Sequence, residues 1–179
     1  IDFKIENIPG LIVKTSRFIE ENNIKLDDNQ LRMVEYLDSN FIGFLCSRGK
    51  TIVFRNIDPK ANIKYYKLFL SKSGYFNDFY GFKSGKVGLN NNIVLCEGIF
   101  DLLKSIKSDK LKKIRDNSFY WAAILGKYYY GSYISVLDYC KLPKSNLIIL
   151  SDSDMKYDEY KYILNHPACD SITVFINGD

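Results

Sequence analysis

Hydrophobic and polar positions follow two different patterns along this chain. Between residues 41 and 70, short apolar and aromatic runs are separated by polar turns, which is typical of antiparallel strands. From residue 92 onward, uncharged runs rich in Val, Ile and Leu alternate with segments of helical spacing, which indicates an α/β architecture. We therefore predict an α/β fold, with a lobe built on a mainly parallel central sheet flanked by helices and a smaller α+β lobe before it.

The smaller lobe is predicted to contain helices, a β-hairpin and a third strand. The pattern predicts a helix over residues 11–21, and Asp27-Asp28 offers an N-cap for a second helix. The apolar face of that second helix is Leu31, Val34 and Leu37. Residues 41–46 and 51–55 predict the hairpin, and residues 63–70 predict the third strand. Residues 71–91 predict a loop that links the two lobes, with a short turn near 78–82.

The larger lobe is predicted to alternate strands and helices. Its predicted strands cover residues 93–96, 118–125, 147–150 and 171–176. Its predicted helices are marked by Ile99, Leu102, Leu103 and Ile106, then by an N-cap at Ser132 with Tyr133, Val136, Leu137 and Cys140, then by Tyr157, Tyr160 and Leu164. We divide the chain into a helical segment (1–40), a basic strand-rich lobe (41–91) and an α/β domain (92–179).

Two of the predicted strands end abruptly in carboxylates. Residues 93–96 are followed by Glu97 and Gly98, with Asp101 one helical turn later, and residues 147–150 are followed by Asp152 and Asp154. Ligands of open α/β sheets bind at the carboxyl ends of the strands. If the two strands are neighbours, these carboxylates converge and repel one another unless a hard divalent cation lies between them. Oxygen ligands of this kind suit Mg²⁺ or Mn²⁺.

Each acidic motif also has a purely structural explanation. Asp154 could cap the helix that follows it, and Asp101 is favourable in the first turn of a helix because of the helix dipole. Both motifs stand at strand ends, however, and they are separated by strand and helix units. We therefore prefer the interpretation as a metal site.

A second candidate surface combines basic and aromatic residues. The predicted strand over 63–70 is rich in Tyr and Phe and contains Lys64 and Lys67, and Arg48 and Arg55 lie in the hairpin before it. Such a surface suits phosphate contacts and base stacking. Composition alone leaves open an ordinary solvated sheet face.

Composition sets broad limits on the function. The 179 residues are 46% hydrophobic and 26% charged, with a net charge of +4, so a nucleic-acid partner is permitted but not required. The four cysteines are widely spaced, without the pairs of a zinc ribbon, and Cys96 and Cys140 are expected to be buried thiols in a reducing compartment. No apolar run approaches the roughly 20 residues of a membrane span. We expect the chain to be part of a longer protein.

The acidic motifs resemble those of the Toprim domain, which is shared by primases, topoisomerases, OLD-type nucleases and small RNA-maturation nucleases. The matching residues are Glu97-Gly98-x-x-Asp101 and Asp152-x-Asp154. The residues around them are most similar to DnaG-type and phage-type primases, in an ordered set. That set comprises the hairpin over 42–55, Lys64-Tyr65, Phe79-Tyr80-Gly81-Phe82, Ala122-Ala123-Ile124-Leu125-Gly126 and Ile176-Asn177-Gly178-Asp179. Met155-Lys156-Tyr157 and Lys127 depart from the bacterial pattern, which favours a divergent phage or mobile-element version.

The resemblance implies the catalytic core of a DNA primase, a nucleotidyltransferase that joins ribonucleotides into short primers on single-stranded DNA. It implies that Asp152 and Asp154 hold Mg²⁺ or Mn²⁺, with Glu97 as a further ligand or acid/base group. Asp101 and Asp179 are implied either to support the first metal ligands or to shape a second metal site. The residues implied to bind nucleotide or template are Arg48, Arg55, Lys64, Lys67 and Lys83. The implied location is the bacterial cytoplasm, and the implied further partner is a replicative helicase, bound through regions outside this chain.

Two other interpretations stay open. A metal-dependent Toprim nuclease would use the same carboxylates to cut rather than to join. A non-catalytic module with a Toprim-like fold would bind single-stranded nucleic acid with strong salt dependence and without turnover.

Overall fold

The structure, a computed structural model, describes residues 8–71, 78–84, 91–125, 129–151, 158 and 160–176. The described residues form two compact units, one ending at Ser71 and the other beginning at Asp78. Together they make a mixed α/β protein with two sheets. The division of the chain at residues 40 and 91 remains a prediction.

The N-terminal unit is a four-stranded antiparallel sheet in the order β1-β2-β3-β4, with two helices. Its elements are β1 (Leu11–Ile12), α1 (Thr15–Glu21), α2 (Asp28–Asn40), β2 (Phe41–Leu45), β3 (Thr51–Asn56) and β4 (Tyr65–Phe69). The predicted hairpin is confirmed, because Phe44 of β2 lies opposite Val53 of β3. The N–H of Cys46 closes the turn by donating to the carbonyl oxygen of Thr51 over 2.9 Å.

Helix α2 begins where its sequence predicts, but fewer of its apolar residues are buried than the sequence predicts. The Asp27 carboxylate accepts the N–H of Gln30 over 2.8 Å, and the Gln30 side-chain oxygen accepts the N–H of Asp27 over 3.0 Å. This is a capping box, which satisfies two backbone donors at the helix start. Of the three predicted core positions only Leu37 is fully buried, and Leu31 is 53% exposed. The core of this unit depends more on its strands, through Ile52, Phe54 and Leu68.

The helix predicted over residues 11–21 is shorter in the structure. Leu11 and Ile12 form β1 and pair with Phe44 and Gly43 of β2, and α1 starts only at Thr15. The apolar run Leu11-Ile12-Val13 fits either element. Pairing with the edge of β2, a tertiary contact, makes Leu11 and Ile12 a strand.

The C-terminal unit is a five-stranded sheet in the order β5-β7-β6-β8-β9. Its elements are β5 (Tyr80–Lys83), β6 (Asn92–Cys96), α3 (Ile99–Lys107), a 3-10 turn (Asp109–Leu111), α4 (Lys112–Asp116), β7 (Tyr120–Ala123), α5 (Tyr129–Cys140), β8 (Ser145–Ser151), α6 (Lys161–Leu164) and β9 (Cys169–Ile176). Strands β7, β6, β8 and β9 are mutually parallel, and β5 pairs antiparallel with β7. The predicted α/β architecture with parallel strands is therefore confirmed.

The position of β6 in the centre of the sheet explains why its sequence lacks charge. Residues 93–96 are fully buried. Ile93 and Leu95 belong to the core formed with α5, while Val94 points to the opposite face, and α3 contacts β6 and β7. A strand covered on both faces needs apolar residues at successive positions. Trp121 on the neighbouring β7 is also fully buried.

Two local predictions for this unit were wrong. Residues 80–83 form strand β5 rather than a turn within a linking loop. The absence of a side chain at Gly81 permits this pairing, because a Cβ there would lie 2.5 Å from the carbonyl oxygen of Trp121. Helix α5 already includes Tyr129, so Ser132 lies inside the helix instead of capping it. No helix in the described ranges is long and apolar enough to cross a membrane.

Candidate functional site

Three neighbouring parallel strands of the C-terminal unit end at the same edge of the sheet. Cys96 at the end of β6 pairs with Leu150 of β8, and Leu150 pairs with Phe175 of β9. One step further, Ser151 pairs with Ile176. The chain leaves the sheet at this edge towards Glu97 after β6, and we call this edge the carboxyl edge.

Glu97 is half-buried and its backbone is held by the chain that follows β7. The carbonyl oxygen of Cys96 accepts the N–H of Ile124 over 2.9 Å, and that of Glu97 accepts the N–H of Leu125 over 3.0 Å. Leu125 has a φ of +61°, a left-handed conformation that costs a branched residue free energy. The backbone pairing therefore continues one residue beyond β6, to Glu97, and two residues beyond β7, to Leu125.

Gly98 leaves room for the Asp101 carboxylate at the start of α3. Gly98 is the N-cap of this helix, with an ordinary φ of −119°, and its carbonyl oxygen accepts the N–H of Leu102 over 3.0 Å. A Cβ on Gly98 would lie 3.0 Å from Oδ2 of Asp101. The backbone conformation does not require a glycine here, and a side chain at position 98 would displace the Asp101 carboxylate. An acidic group in the first turn also interacts favourably with the helix dipole.

The remaining predicted acidic residues lie outside the described residues. These are Asp152, Asp154 and Asp179. The structure thus describes two of the five predicted carboxylates, Glu97 and Asp101, close together in sequence at the carboxyl edge. Within the described part of the chain, no cluster of three or more His, Cys, Asp or Glu side chains could hold a metal ion. The metal site stays a prediction.

The N-terminal unit carries the predicted basic and aromatic surface on β3 and β4. Tyr65, Lys67 and Phe69 alternate along β4 and are exposed, the two rings by 60% and 48%. The Arg55 guanidinium of β3 lies 4.5 Å from the ring centroid of Tyr65, in the range of a cation–π contact. These four side chains form what we call the β4 face. Lys64 is exposed just before β4, and Arg48 is half-buried in the turn between β2 and β3.

The basic residues of the β4 face were predicted individually from the sequence, but its two aromatic residues were not. Tyr65 and Phe69 stand at i and i+4 of a strand, and Lys67 stands between them. Since side chains of a strand alternate between its two faces, that spacing alone could have identified the exposed rings. The buried residue of β4 is Leu68, which packs into the core.

Lys83 belongs to the C-terminal unit, whereas the other four predicted nucleotide-binding residues belong to the N-terminal one. It is exposed on β5, and its Nζ lies 5.8 Å from the ring centroid of Phe119. Burial raises the pKa of the nearby Cys140 thiol to about 11, and the positive charge of Lys83 partly opposes this shift.

The cysteines and the histidine take structural positions. All four cysteines are free thiols. Cys46 and Cys96 are buried, but Cys140, predicted to be buried, is half-buried near the end of α5. Nδ1 of His166 accepts the N–H of Ala168 over 3.1 Å, so the histidine stabilises the turn before β9.

Comparisons of this chain with protein-family models, with curated proteins and with solved structures found no significant match.

Proposed function

We propose that this chain is the catalytic core of a Toprim-type DNA primase, which joins ribonucleotides into short RNA primers on single-stranded DNA. In this proposal the C-terminal unit is the Toprim lobe, and the N-terminal unit supplies contacts to nucleotide and template. The proposal includes a bacterial or phage origin and a helicase partner bound through regions outside this chain.

The observation that carries the proposal is the common carboxyl edge of β6, β8 and β9. In the sequence, each of these strands is followed by an acidic motif: Glu97 after β6, Asp152 and Asp154 after β8, and Asp179 after β9. Function in open α/β sheets concentrates at this edge. The order of acidic motifs along the chain is the one that the Toprim resemblance implies.

The carboxylates fit a divalent cation chemically, because hard oxygen donors are what Mg²⁺ and Mn²⁺ bind. Asp152 and Asp154 would hold the ion, with Glu97 as a further ligand or as an acid/base group. Asp101 and Asp179 would contribute to a second ion or orient the first ligands. Such ions, when bound, stabilise charge on the attacking and leaving oxygens of phosphoryl transfer.

The β4 face is suited to the template. Tyr65 and Phe69 offer two exposed rings on which bases can stack, and Arg55 and Lys67 place positive charge between and beside them. Base stacking on aromatic side chains is tolerant of sequence, and contacts to phosphates add salt-dependent affinity. Arg48, Lys64 and Lys83 would add further contacts to phosphates.

One reaction tests the proposal: single-stranded DNA with all four ribonucleoside triphosphates and Mg²⁺ or Mn²⁺, resolved on a denaturing gel. We expect short RNA products from the native chain and none from the double variant Glu97→Gln with Asp152→Asn. The matched control, Glu35→Gln with Asp170→Asn, removes two exposed carboxylates elsewhere and should retain activity. Synthesis that survives the first double variant overturns the proposal.

The same reaction without ribonucleotides tests the alternative enzyme. Metal-dependent cleavage of the DNA strand, lost in the Glu97→Gln, Asp152→Asn variant, identifies a nuclease that uses the same carboxylates. Binding of the strand without either product identifies a non-catalytic module. Each of these two outcomes replaces the primase proposal.

A further inference from the structure

One short segment of this protein has a large excess of positive charge. Residues 104–116 contain six basic residues and two acidic ones, a net charge of +4, which equals the net charge of all 179 residues. The rest of the chain is therefore neutral overall. The basic residues are Lys104, Lys107, Lys110, Lys112, Lys113 and Arg115, and the acidic ones are Asp109 and Asp116.

This segment lies away from the carboxyl edge. Because β6 and β7 are parallel, α3 carries the chain from the end of β6 back towards the start of β7. Its nine residues span about 14 Å at the rise of an α-helix. The last turn of α3, the 3-10 turn and α4 thus lie towards the amino ends of the strands, opposite Glu97.

Arg115 is engaged in holding this segment together. Its Nη1 donates to the carbonyl oxygen of Ile106 over 2.6 Å, which ties α4 to the end of α3. Its Nε lies 3.5 Å from a carboxylate oxygen of Asp116. The Ser118 hydroxyl donates to the carbonyl oxygen of Ile114 over 2.6 Å. The backbone is therefore fixed locally by its own contacts.

The five lysines have no such structural task. All five are exposed, and no ion pair found among the described residues involves them. We call Lys104, Lys107, Lys110, Lys112 and Lys113 the basic patch. Its five positive charges repel one another, and the carboxylates nearest to them in the sequence are Asp101, Asp109 and Asp116.

Helix dipoles account for only part of this arrangement. Lys104 and Lys107 lie in the last turn of α3, where positive charge is favourable. Lys112 is the first residue of α4, where positive charge is unfavourable, and no acidic residue lies in that first turn. A ligand of opposite charge would explain why these lysines stand together.

We propose that the basic patch binds the phosphate backbone of a nucleic acid, as a contact separate from the carboxyl edge and from the β4 face. A membrane surface is disfavoured, since residues 104–116 have no exposed large hydrophobic side chain to insert. The segment contains no aromatic residue, so it offers no surface for stacking bases. Binding is therefore independent of sequence and is governed by the release of counterions. This inference needs neither the metal site nor primer synthesis.

Titration of labelled DNA followed by fluorescence anisotropy tests the patch. The patch variant changes all five lysines to Gln. The control variant changes Lys14, Lys25, Lys60, Lys141 and Lys144 to Gln, all exposed and outside the patch, so both variants lose the same charge. A DNA duplex of about 20 base pairs is titrated between about 50 and 200 mM salt.

We expect the patch variant to bind at least about tenfold more weakly at low salt than the control variant. The slope of log affinity against log salt should fall by about 0.9 for each phosphate contact that is lost. A third variant with Arg at the same five positions should retain affinity and shows that charge is what matters. Circular dichroism checks that each variant is folded. If the patch variant does not fold, a triple variant with Gln at Lys110, Lys112 and Lys113 replaces it.

Three results would overturn the proposal. Equal weakening in the patch and control variants would assign binding to net charge alone. Unchanged affinity in the patch variant would exclude the patch. Patch-dependent binding to vesicles of phosphatidylserine and phosphatidylcholine, without binding to DNA, would assign it to lipid. The duplex titration requires no primer synthesis, so failure of the primase proposal is read separately.

Discussion

The backbone N–H of Leu125 donates a hydrogen bond to the carbonyl oxygen of Glu97 over 3.0 Å, and Leu125 makes this bond with a φ of +61°. Strain of this kind costs of the order of 1 to 3 kcal/mol and persists only where surrounding structure imposes it. Here the imposing structure is the pairing of β6 with β7, which continues to the residue that we propose as a metal ligand.

Substitution of Leu125 tests whether this strain is present. Val and Asn are similar in size, but a β-branched residue tolerates positive φ poorly whereas Asn adopts it readily. We expect the Leu125→Asn variant to be more stable than Leu125→Val by about 1 kcal/mol. Urea unfolding followed by fluorescence of the single tryptophan, Trp121, measures both.

The neighbouring residue Ile124 provides the matched control. It is 5% exposed and its φ is not positive, so burial rather than backbone conformation decides there. We expect the opposite order, with Ile124→Val more stable than Ile124→Asn. If Val is at least as well tolerated as Asn at position 125, the left-handed conformation of Leu125 is wrong.

A methyl group at position 81 should detach β5 from the sheet. The Cβ of Gly81→Ala would meet the backbone oxygen of Trp121 at 2.5 Å and the Tyr120 ring at 2.6 Å. Because the backbone of a paired strand can shift only at a large cost in free energy, we expect a loss of about 3 kcal/mol in the free energy of unfolding. Trp121 fluorescence during urea unfolding measures this loss.

Gly43→Ala in the N-terminal unit is the comparison for this prediction. Its added Cβ would meet the edge of the Phe54 ring at 2.8 Å, and a side chain can adjust more easily than backbone. We expect a smaller loss, followed by far-ultraviolet circular dichroism because Trp121 lies in the other unit. A loss from Gly81→Ala no larger than that from Gly43→Ala would argue against the pairing of β5 with β7.

The capping box of α2 predicts a measurable local effect. Asp27→Ala removes the acceptor for the N–H of Gln30, and we expect a loss of about 1 kcal/mol. Hydrogen exchange of the Gln30 amide should accelerate. Asn29→Ala, at an exposed position within the helix, is the control and should leave this exchange rate nearly unchanged. Equal exchange rates of the Gln30 amide in the two variants would show that the capping box does not stabilise the start of α2.

The raised pKa of Cys140 predicts loss of stability in alkali. In the unfolded chain this thiol ionises near its ordinary value of 9, and in the folded chain burial raises its pKa to about 11. Between these values the unfolded state loses the proton first, so the free energy of unfolding falls as pH rises. Burial also raises the pKa of Cys169 and Tyr133, which adds to the same trend.

The contribution of Cys140 is isolated by comparison with Cys140→Ser. The variant should lose less stability than the native chain between pH 9 and pH 11. The difference in thiolate absorbance between the two proteins gives the pKa of this group directly. A midpoint near 9 would contradict its burial at the end of α5.

The elements that form as predicted are those whose signals lie in residues close together in the sequence. The N-cap at Asp27, the hairpin between β2 and β3, and the uncharged run of β6 followed by Glu97 all form as their patterns predict. Hydrogen bonds between residues close in the sequence, and burial of a strand on both faces, restrict the residue types at neighbouring positions. For the same reason Glu97 could be placed at a strand end from sequence alone.

Which strands are neighbours and which apolar residues are buried depends instead on contacts between distant parts of the chain. Strand β5 forms because β7 offers an edge beside Gly81, and Leu31 stays exposed although its spacing is helical and apolar. The common carboxyl edge of β6, β8 and β9 depends in the same way on pairing between distant segments. Strand order and register are set by packing between residues far apart in the chain, and no local pattern records that packing.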